Sequence, residues 1–283
     1  MTGGTGGIGA AVAVELARRE HRVLIVGRDE ERAAAVLSRL TGTGHAFIRA
    51  DLALMGDTAR VAGEVAGHTD RLDALVLCAG VLSTVADWTS EGLERALALN
   101  YLSRYLLARR LLPALADSPS GRVVLVANAG RYRDTLDLDD LQLRRGGGRG
   151  LRVSGRSQFA NDLLAVELAE RARDTRVAVT CVFPGLVATG VFANAHGPSR
   201  PLRAVAAAVQ RRLGAAPEKA AVVPAHLAAD PDAAGFAGAF VGPRVRRIPI
   251  PDRARRPDRR AALWAASERL VRPWLTGAGD RRG

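Results

Sequence analysis

"MTGGTGGIGAAVAVELARRE" (residues 1–20) is the stretch whose reading decides the fold. Its glycines remove Cβ atoms where a backbone turns sharply, and the apolar residues behind them recur at helical spacing. A glycine-rich turn that opens a helix points free amides and the positive end of the helix dipole at an anion, which suits a pyrophosphate. By itself the same turn also serves as a plain strand-to-helix connection, so the rest of the chain must decide. A β-strand normally precedes such a turn, and here only Met1 does.

Beyond the turn, short apolar runs alternate with longer amphipathic ones. "HRVLIVGR" (21–28), "HAFIRAD" (45–51), "RLDALVLCAG" (71–80), "GRVVLVANAG" (121–130) and "TRVAVTCVFPG" (175–185) read as strands. Between them, "DEERAAAVLSRL" (29–40) and "EGLERALALNYLSRYLLARRLLPAL" (91–115) read as helices, and "RRGGGRG" (144–150) as a mobile surface loop. Strands with little polar alternation, separated by helices, predict a parallel sheet covered on both faces. That is an α/β, doubly wound Rossmann-type fold. With 283 residues, 48% of them hydrophobic, the chain can fill one such domain over 1–283. In open sheets of this kind ligands bind beyond the carboxyl ends of the strands, so the strand tips carry the functional reading.

Composition excludes more than it assigns. No apolar run reaches the length that crosses a bilayer. Nothing at the N-terminus resembles a secretory signal. Cys78 and Cys181 read as free thiols of a reducing cytoplasm. The net charge of +12 is almost wholly arginine, Lys219 being the only lysine. The densest basic run, "RVRRIPIPDRARRPDRR" (244–260), has no aromatic residue to stack on a base and carries Asp252 and Asp258. It reads as a solvated surface rather than a nucleic-acid site. His21, His45, His68 and His226 scatter over unrelated elements, so no metal site is expected.

About 20 residues after the turn, an acidic side chain would bond a ribose 2′-hydroxyl, whereas an arginine suits a 2′-phosphate. Here Gly27 is followed by Arg28, with Asp29 next. A guanidinium at the tip favours NADP over NAD.

With these residues in view, the chain resembles the short-chain dehydrogenase/reductase family. The resemblance rests on Thr2, Gly3, Gly7, Ile8 and Gly9 at the turn, Asp51-Leu52, Ala79-Gly80, Asn100, and "PGLVAT" from Pro184 and Gly185 to Thr189. The retinol dehydrogenase-like group is the nearest fit, through "LDLDDLQ" (136–142), "APEKAAVVPAHLAADPDAAGFAGAFVG" (216–242) and "AALWAASERLV" (261–271). The resemblance implies that these turn and tip residues hold NADP. It makes 191–214 a variable lid over the substrate pocket and 243–283 a basic C-terminal extension with a helix. It also implies a central strand ahead of the turn, and its absence favours a start upstream of Met1 over a poorly stable protein that begins there.

In that family a tyrosine transfers the proton, a lysine four residues on acidifies it, a serine polarises the carbonyl and an asparagine holds a water relay. Position by position, the resemblance puts Ser154 at the tyrosine, Gln158 at the lysine, Asn128 at the serine and Asn100 at the asparagine. Only Asn100 matches. A phenol needs a nearby cation to work at neutral pH, and glutamine supplies none. Loss of general acid–base help costs about 10²–10⁴ in rate. Tyr132 is the one phenol near the expected site, and a core-edge aromatic is an equal reading of it. His196 reads as a residue of the pocket rim or plain surface.

Three functions therefore compete. The first is an NADP(H)-dependent oxidoreductase with impaired catalysis on an apolar alcohol or ketone. The second is a dehydratase, isomerase or cyclase using Asn128, Ser154 and Asn100 for hydrogen bonding. The third is a non-catalytic NADP-binding module. In each the partner is a small molecule. Helices 91–115 and 154–172 are surfaces through which many family members pair, so a homo-oligomer is compatible with the sequence.

Overall fold

The structure is a computed structural model that describes residues 1–145 and 148–275. All five strands expected from the apolar runs are present: β1 (Leu24–Gly27), β2 (Ala46–Arg49), β3 (Ala74–Leu77), β4 (Arg122–Val126) and β5 (Ala178–Val182). Two short strands follow, β6 (Phe240–Gly242) and β7 (Arg246–Ile248). Every residue of β4 and β5 is buried, as expected of strands covered on both faces, whereas β2 at the edge is mostly accessible. Strands β3 to β6 run parallel in sequence order, and β7 closes the edge antiparallel.

β1 and β2 pair with each other, and among the described residues the bridges to β3 run through Thr2, with Met1 bonded to β1. Thr2 bridges Val26 on one side and Leu77 on the other. Its N–H donates to Val76 O at 2.9 Å, and Val26 N–H donates to Met1 O at 2.9 Å. Two residues thus occupy the centre of the sheet.

Helices cover both faces. On one lie α1 (Gly7–Arg18), α2 (Glu30–Leu37) and α8 (Pro217–Ala229); α1 and α8 pack together through alanines and valines. On the other lie α3 (Met55–His68), α5 (Ser103–Ala116), α6 (Arg152–Arg171) and α10 (Pro257–Leu275), around a core that includes Tyr101, Tyr105, Phe159 and Trp264. The helix expected over 91–115 starts later, with a short α4 (Arg95–Leu97), because Glu94 caps it by accepting from Ala96 and Leu97 N–H. It then widens into a π turn over Ala98–Leu102 before continuing as α5. Helices α7 (Arg200–Leu213) and α9 (Asp252–Arg255) are also present. In "RRGGGRG", Gly146 and Gly147 lie outside the described residues, while Arg149 bridges Val85. Among the described residues no helix is long and apolar enough to cross a membrane.

Candidate functional site

The glycine turn and three strand tips meet at the carboxyl edge of the sheet. Gly3 takes φ +67°, and a Cβ there would lie 2.9 Å from Ala79 Cα. A Cβ on Gly9 would lie 2.2 Å from Gly3 O, so backbone packs on backbone inside the turn. Thr2 Oγ1 accepts from Cys78 N–H at 3.1 Å and Ala79 N–H at 3.2 Å, which fixes the turn against the Ala79-Gly80 tip. Thr189, from "PGLVAT", reaches the same place, its Cγ2 being 3.2 Å from where a Cβ of Gly7 would stand. Ile8 is half-buried against the core beneath the turn.

No side chain caps α1, whose N-cap is Gly6. Its first amides remain available to an anion. The contrast with α2 is direct, because Asp29 caps that helix by accepting from Arg32 N–H at 3.0 Å. Asp29 is thereby occupied, and Arg28 beside it is exposed with no ion pair among the described residues. Asp51 accepts from Ala53 N–H at 3.0 Å and turns the chain after β2, above the buried Leu52. Pro184 and Gly185, the latter at φ +89°, turn the chain after β5. The expected nucleotide residues are therefore gathered along one crevice edge, and the groups present fit a dinucleotide: a cradle that a Cβ would fill, an uncapped helix start and an unpaired guanidinium.

At the other end of the edge, Asn128 follows β4 and Gln158 lies on α6. Asn128 Nδ2 donates to Gln158 Oε1 at 3.2 Å, and both residues are partly exposed. Ser154, one turn earlier on α6, is 2% exposed. Its Oγ accepts from Ser83 N–H at 2.6 Å and donates to Ser83 O at 2.9 Å. Asn100 sits at the centre of the π turn, fully buried. Its amide is spent on Val81 N–H (2.8 Å), Val81 O (2.9 Å) and Ser157 Oγ (3.1 Å), and its carbonyl accepts from Asn161 Nδ2 at 3.0 Å.

Of the three residues expected to hydrogen-bond a substrate, Ser154 and Asn100 have side chains that are buried and already bonded, whereas Asn128 is partly exposed. Of the four positions, only Asn128 and Gln158 offer polar atoms to the crevice. Tyr132 packs beside them, its Cδ1 3.2 Å from where a Cβ of Gly155 would stand. Burial raises the Tyr132 pKa, and no cation opposes that shift. His196 is exposed, and its backbone pairs with the 82–84 loop, Thr84 N–H donating to His196 O at 2.9 Å.

Buried charge surrounds this end, and the sequence reading did not find it. Arg104, one turn after Asn100, is 3% exposed and donates to Ala79 O at 2.9 Å, while its Nε and Nη1 have no partner among the described residues. Burial lowers its pKa. Glu94 and Arg156 form a fully buried ion pair in which burial raises the acid and lowers the base. Asp162, on α6, accepts from Gly130 N–H at 3.0 Å, and burial pushes its pKa up to about 7. The signal for Arg104 was present: at i+4 from Asn100 it falls on the stripe that Ala108 continues into the core. The Glu94–Arg156 pair joins residues 62 apart and left no local trace.

One grouping of metal-ligand type also escaped a reading based on histidines alone. His226, Asp230 and Asp232 place ligand atoms within 4.8 Å of one another. Arg19 forms an ion pair with Asp230 at 2.6 Å, and His226 Nδ1 lies 2.5 Å from the same carboxylate, so Asp230 is already partnered within the protein.

Comparison with known proteins adds an independent line. A sequence profile described as short chain dehydrogenase matches residues 1–134 and stops ahead of α6. Dehydrogenase/reductase SDR family member 13 of Homo sapiens is 35% identical over 281 residues, spanning 96% of this chain and 72% of that protein. Polyprenol dehydrogenase of Mus musculus is 32% identical, spanning 100% and 85%. Among solved structures, a short chain dehydrogenase from Escherichia coli CFT073 complexed with NADPH superimposes with a TM-score of 0.65 at 24% identity, over 86% of this chain and 94% of that one.

Proposed function

The chain belongs to the short-chain dehydrogenase family, and from that premise we propose that it binds NADP(H) and acts on an apolar alcohol or ketone with weakened proton transfer. In this reading the amides of Gly3 and Gly7–Gly9 hold the pyrophosphate with Thr2 behind them, and Arg28 meets the 2′-phosphate. Asp51-Leu52 and Ala79-Gly80 flank the nucleotide, while Pro184, Gly185 and Thr189 border the reactive end. The NADPH bound to the Escherichia coli structure supports the cofactor. When bound, NADPH supplies a hydride.

An apolar substrate is supported by α7, which leaves Leu202, Val205, Val209 and Leu213 exposed along one side. These residues recur at helical spacing within the segment expected to cover the pocket. Gln210 anchors the helix, its Nε2 donating to Val187 O at 2.7 Å. A relative that is a polyprenol dehydrogenase points the same way.

The observation that carries the weakened chemistry is the Asn128–Gln158 contact. Two amides orient an oxygen by hydrogen bonding, yet neither titrates near neutral pH, and Gln158 supplies no charge to acidify a donor. In this reading the proton comes from solvent. Fluorescence titration with NADPH, followed by turnover of a panel of hydrophobic ketones, tests this. The expected result is saturable binding, with turnover at least about 10²-fold below that of the Ser154→Tyr/Gln158→Lys double variant. Absent binding defeats the cofactor assignment. Wild-type turnover equal to that of the double variant defeats the assignment of weakened proton transfer.

The occupied state of Ser154 and Asn100 favours one second reading, a module that binds NADP(H) without turnover. Tight binding with no turnover of any ketone would select it.

A further inference from the structure

A second cavity lies at the opposite edge of the sheet. Its volume is about 710 Å³, within the range of small-molecule sites. It opens where β4 and β5 begin, at Arg122 and Ala178, so the length of a strand, about 16 Å, separates it from the nucleotide crevice. Its charged lining is Arg122, Arg173, Arg176, Arg255, Arg260 and a single acid, Glu170, which is already paired with Arg173. Val166, Val179 and Ile250 supply apolar wall.

An arginine-rich composition puts guanidinium groups in water, and Arg176 and Arg255 conform to that. Arg122 does not. It is 6% exposed, its Nη1 donates only to the adjacent Gly121 O at 3.2 Å, and no carboxylate pairs with it among the described residues. Arg260 is nearly as enclosed, and its Nε, 3.3 Å from Glu167, is not aligned for a hydrogen bond. Arg122 thus brings to the cavity a largely enclosed guanidinium with no carboxylate partner among the described residues, and an anion entering there would meet an unneutralised charge. The planar fork of arginine suits a phosphate, and several around one cavity suit a dianion.

We propose that this cavity binds a phosphomonoester with an aliphatic body, its dianionic head among Arg122, Arg176 and Arg255 and its chain against Val166, Val179 and Ile250. The site also gives a role to part of the basic run at 244–260, which the nucleotide crevice does not use.

Isothermal titration of the full chain with octyl phosphate below its micellar concentration tests the site, with inorganic phosphate and octanol as controls. The expected result is one equivalent of octyl phosphate bound at least tenfold more tightly than either inorganic phosphate or octanol. Arg176→Glu/Arg255→Glu changes only exposed side chains and should weaken octyl phosphate at least tenfold at unchanged melting temperature. Arg28→Glu, in the nucleotide crevice, should leave the affinity unchanged. Undiminished binding in the double variant, loss of binding in Arg28→Glu, octanol bound as tightly as octyl phosphate, or no binding of octyl phosphate at all would each overturn the proposal.

Discussion

The two ends of the crevice are built from different materials. At the nucleotide end the working groups are backbone: amides at an uncapped helix start, shaped by glycines whose missing Cβ atoms leave no alternative packing. At the reaction end they are side chains on α6 and the β4 tip, and those present have found neighbours: Ser83 for Ser154, Gln158 for Asn128, Val81 for Asn100. A site made of backbone lasts as long as its fold does. A site made of side chains can lose its chemistry while its helix stays in place, which is the proposed reading of Ser154 and Gln158 on α6.

The sharpest way to break that comparison is to place a side chain in the turn. Gly9→Val puts a Cβ 2.2 Å from Gly3 O, and backbone cannot yield as a flexible side chain would. The expected loss is about 4–5 kcal/mol, measured by chemical denaturation, with NADPH binding abolished. Gly6→Ala is the control. A Cβ there meets nothing within 4 Å and the backbone is extended, so stability should change by less than about 1 kcal/mol. Any loss of NADPH affinity in Gly6→Ala then reports the nucleotide rather than the fold. A stable Gly9→Val protein would show that the turn is not the rigid part.

The reaction end should betray its buried charge through pH. Asp162 titrates at 3.8 in the unfolded chain and near 7 in the folded one, because burial outweighs the Gly130 N–H bond and the charge of Arg253. The folded protein therefore holds the proton more tightly. The stabilisation is fully present below pH 3.8 and is lost as pH rises through about 7. A shift of about three units corresponds to about 4 kcal/mol at most. Denaturation of the wild type and of Asp162→Asn between pH 4 and 8 should show the wild type losing stability relative to the variant as pH rises. A pH-independent difference would remove Asp162 from the account.

The two ends also differ in how far the sequence disclosed them. The strands were legible because β4 and β5 are buried throughout and apolar but for Arg122 and Thr180, and the turn was legible because its glycines open a helix and stand with the strand tips that follow. The late start of α4 was hidden because Glu94 acts there as a cap rather than a helical residue, and a side chain reaching forward leaves no periodic mark. That Ser154, Gln158 and Asn128 differ from the residues the resemblance implies was readable, but not where their side chains go. That Ser154 turns away to a loop 71 residues earlier depends on tertiary contact alone. The split of the sheet around Met1 and Thr2 lay between these cases: a gap was visible, but not that Thr2 would bridge both sides.

The smallest effect is the most discriminating at the reaction end. Ser154→Ala removes a hydroxyl that both accepts from and donates to the Ser83 backbone, and leaves two buried polar groups without partners. The expected cost is about 1–3 kcal/mol of stability, read by thermal unfolding. If Ser154 only ties the 82–84 loop, NADPH affinity and any residual ketone turnover should stay within about threefold of wild type, since no proton passes through its oxygen. The same change at a working tyrosine position would cost about 10²–10⁴ in rate at little cost in stability. The variant thus separates the two roles by which quantity moves. A large fall in turnover at unchanged melting temperature would restore Ser154 to the chemistry, and the difference between the two ends would then be one of degree.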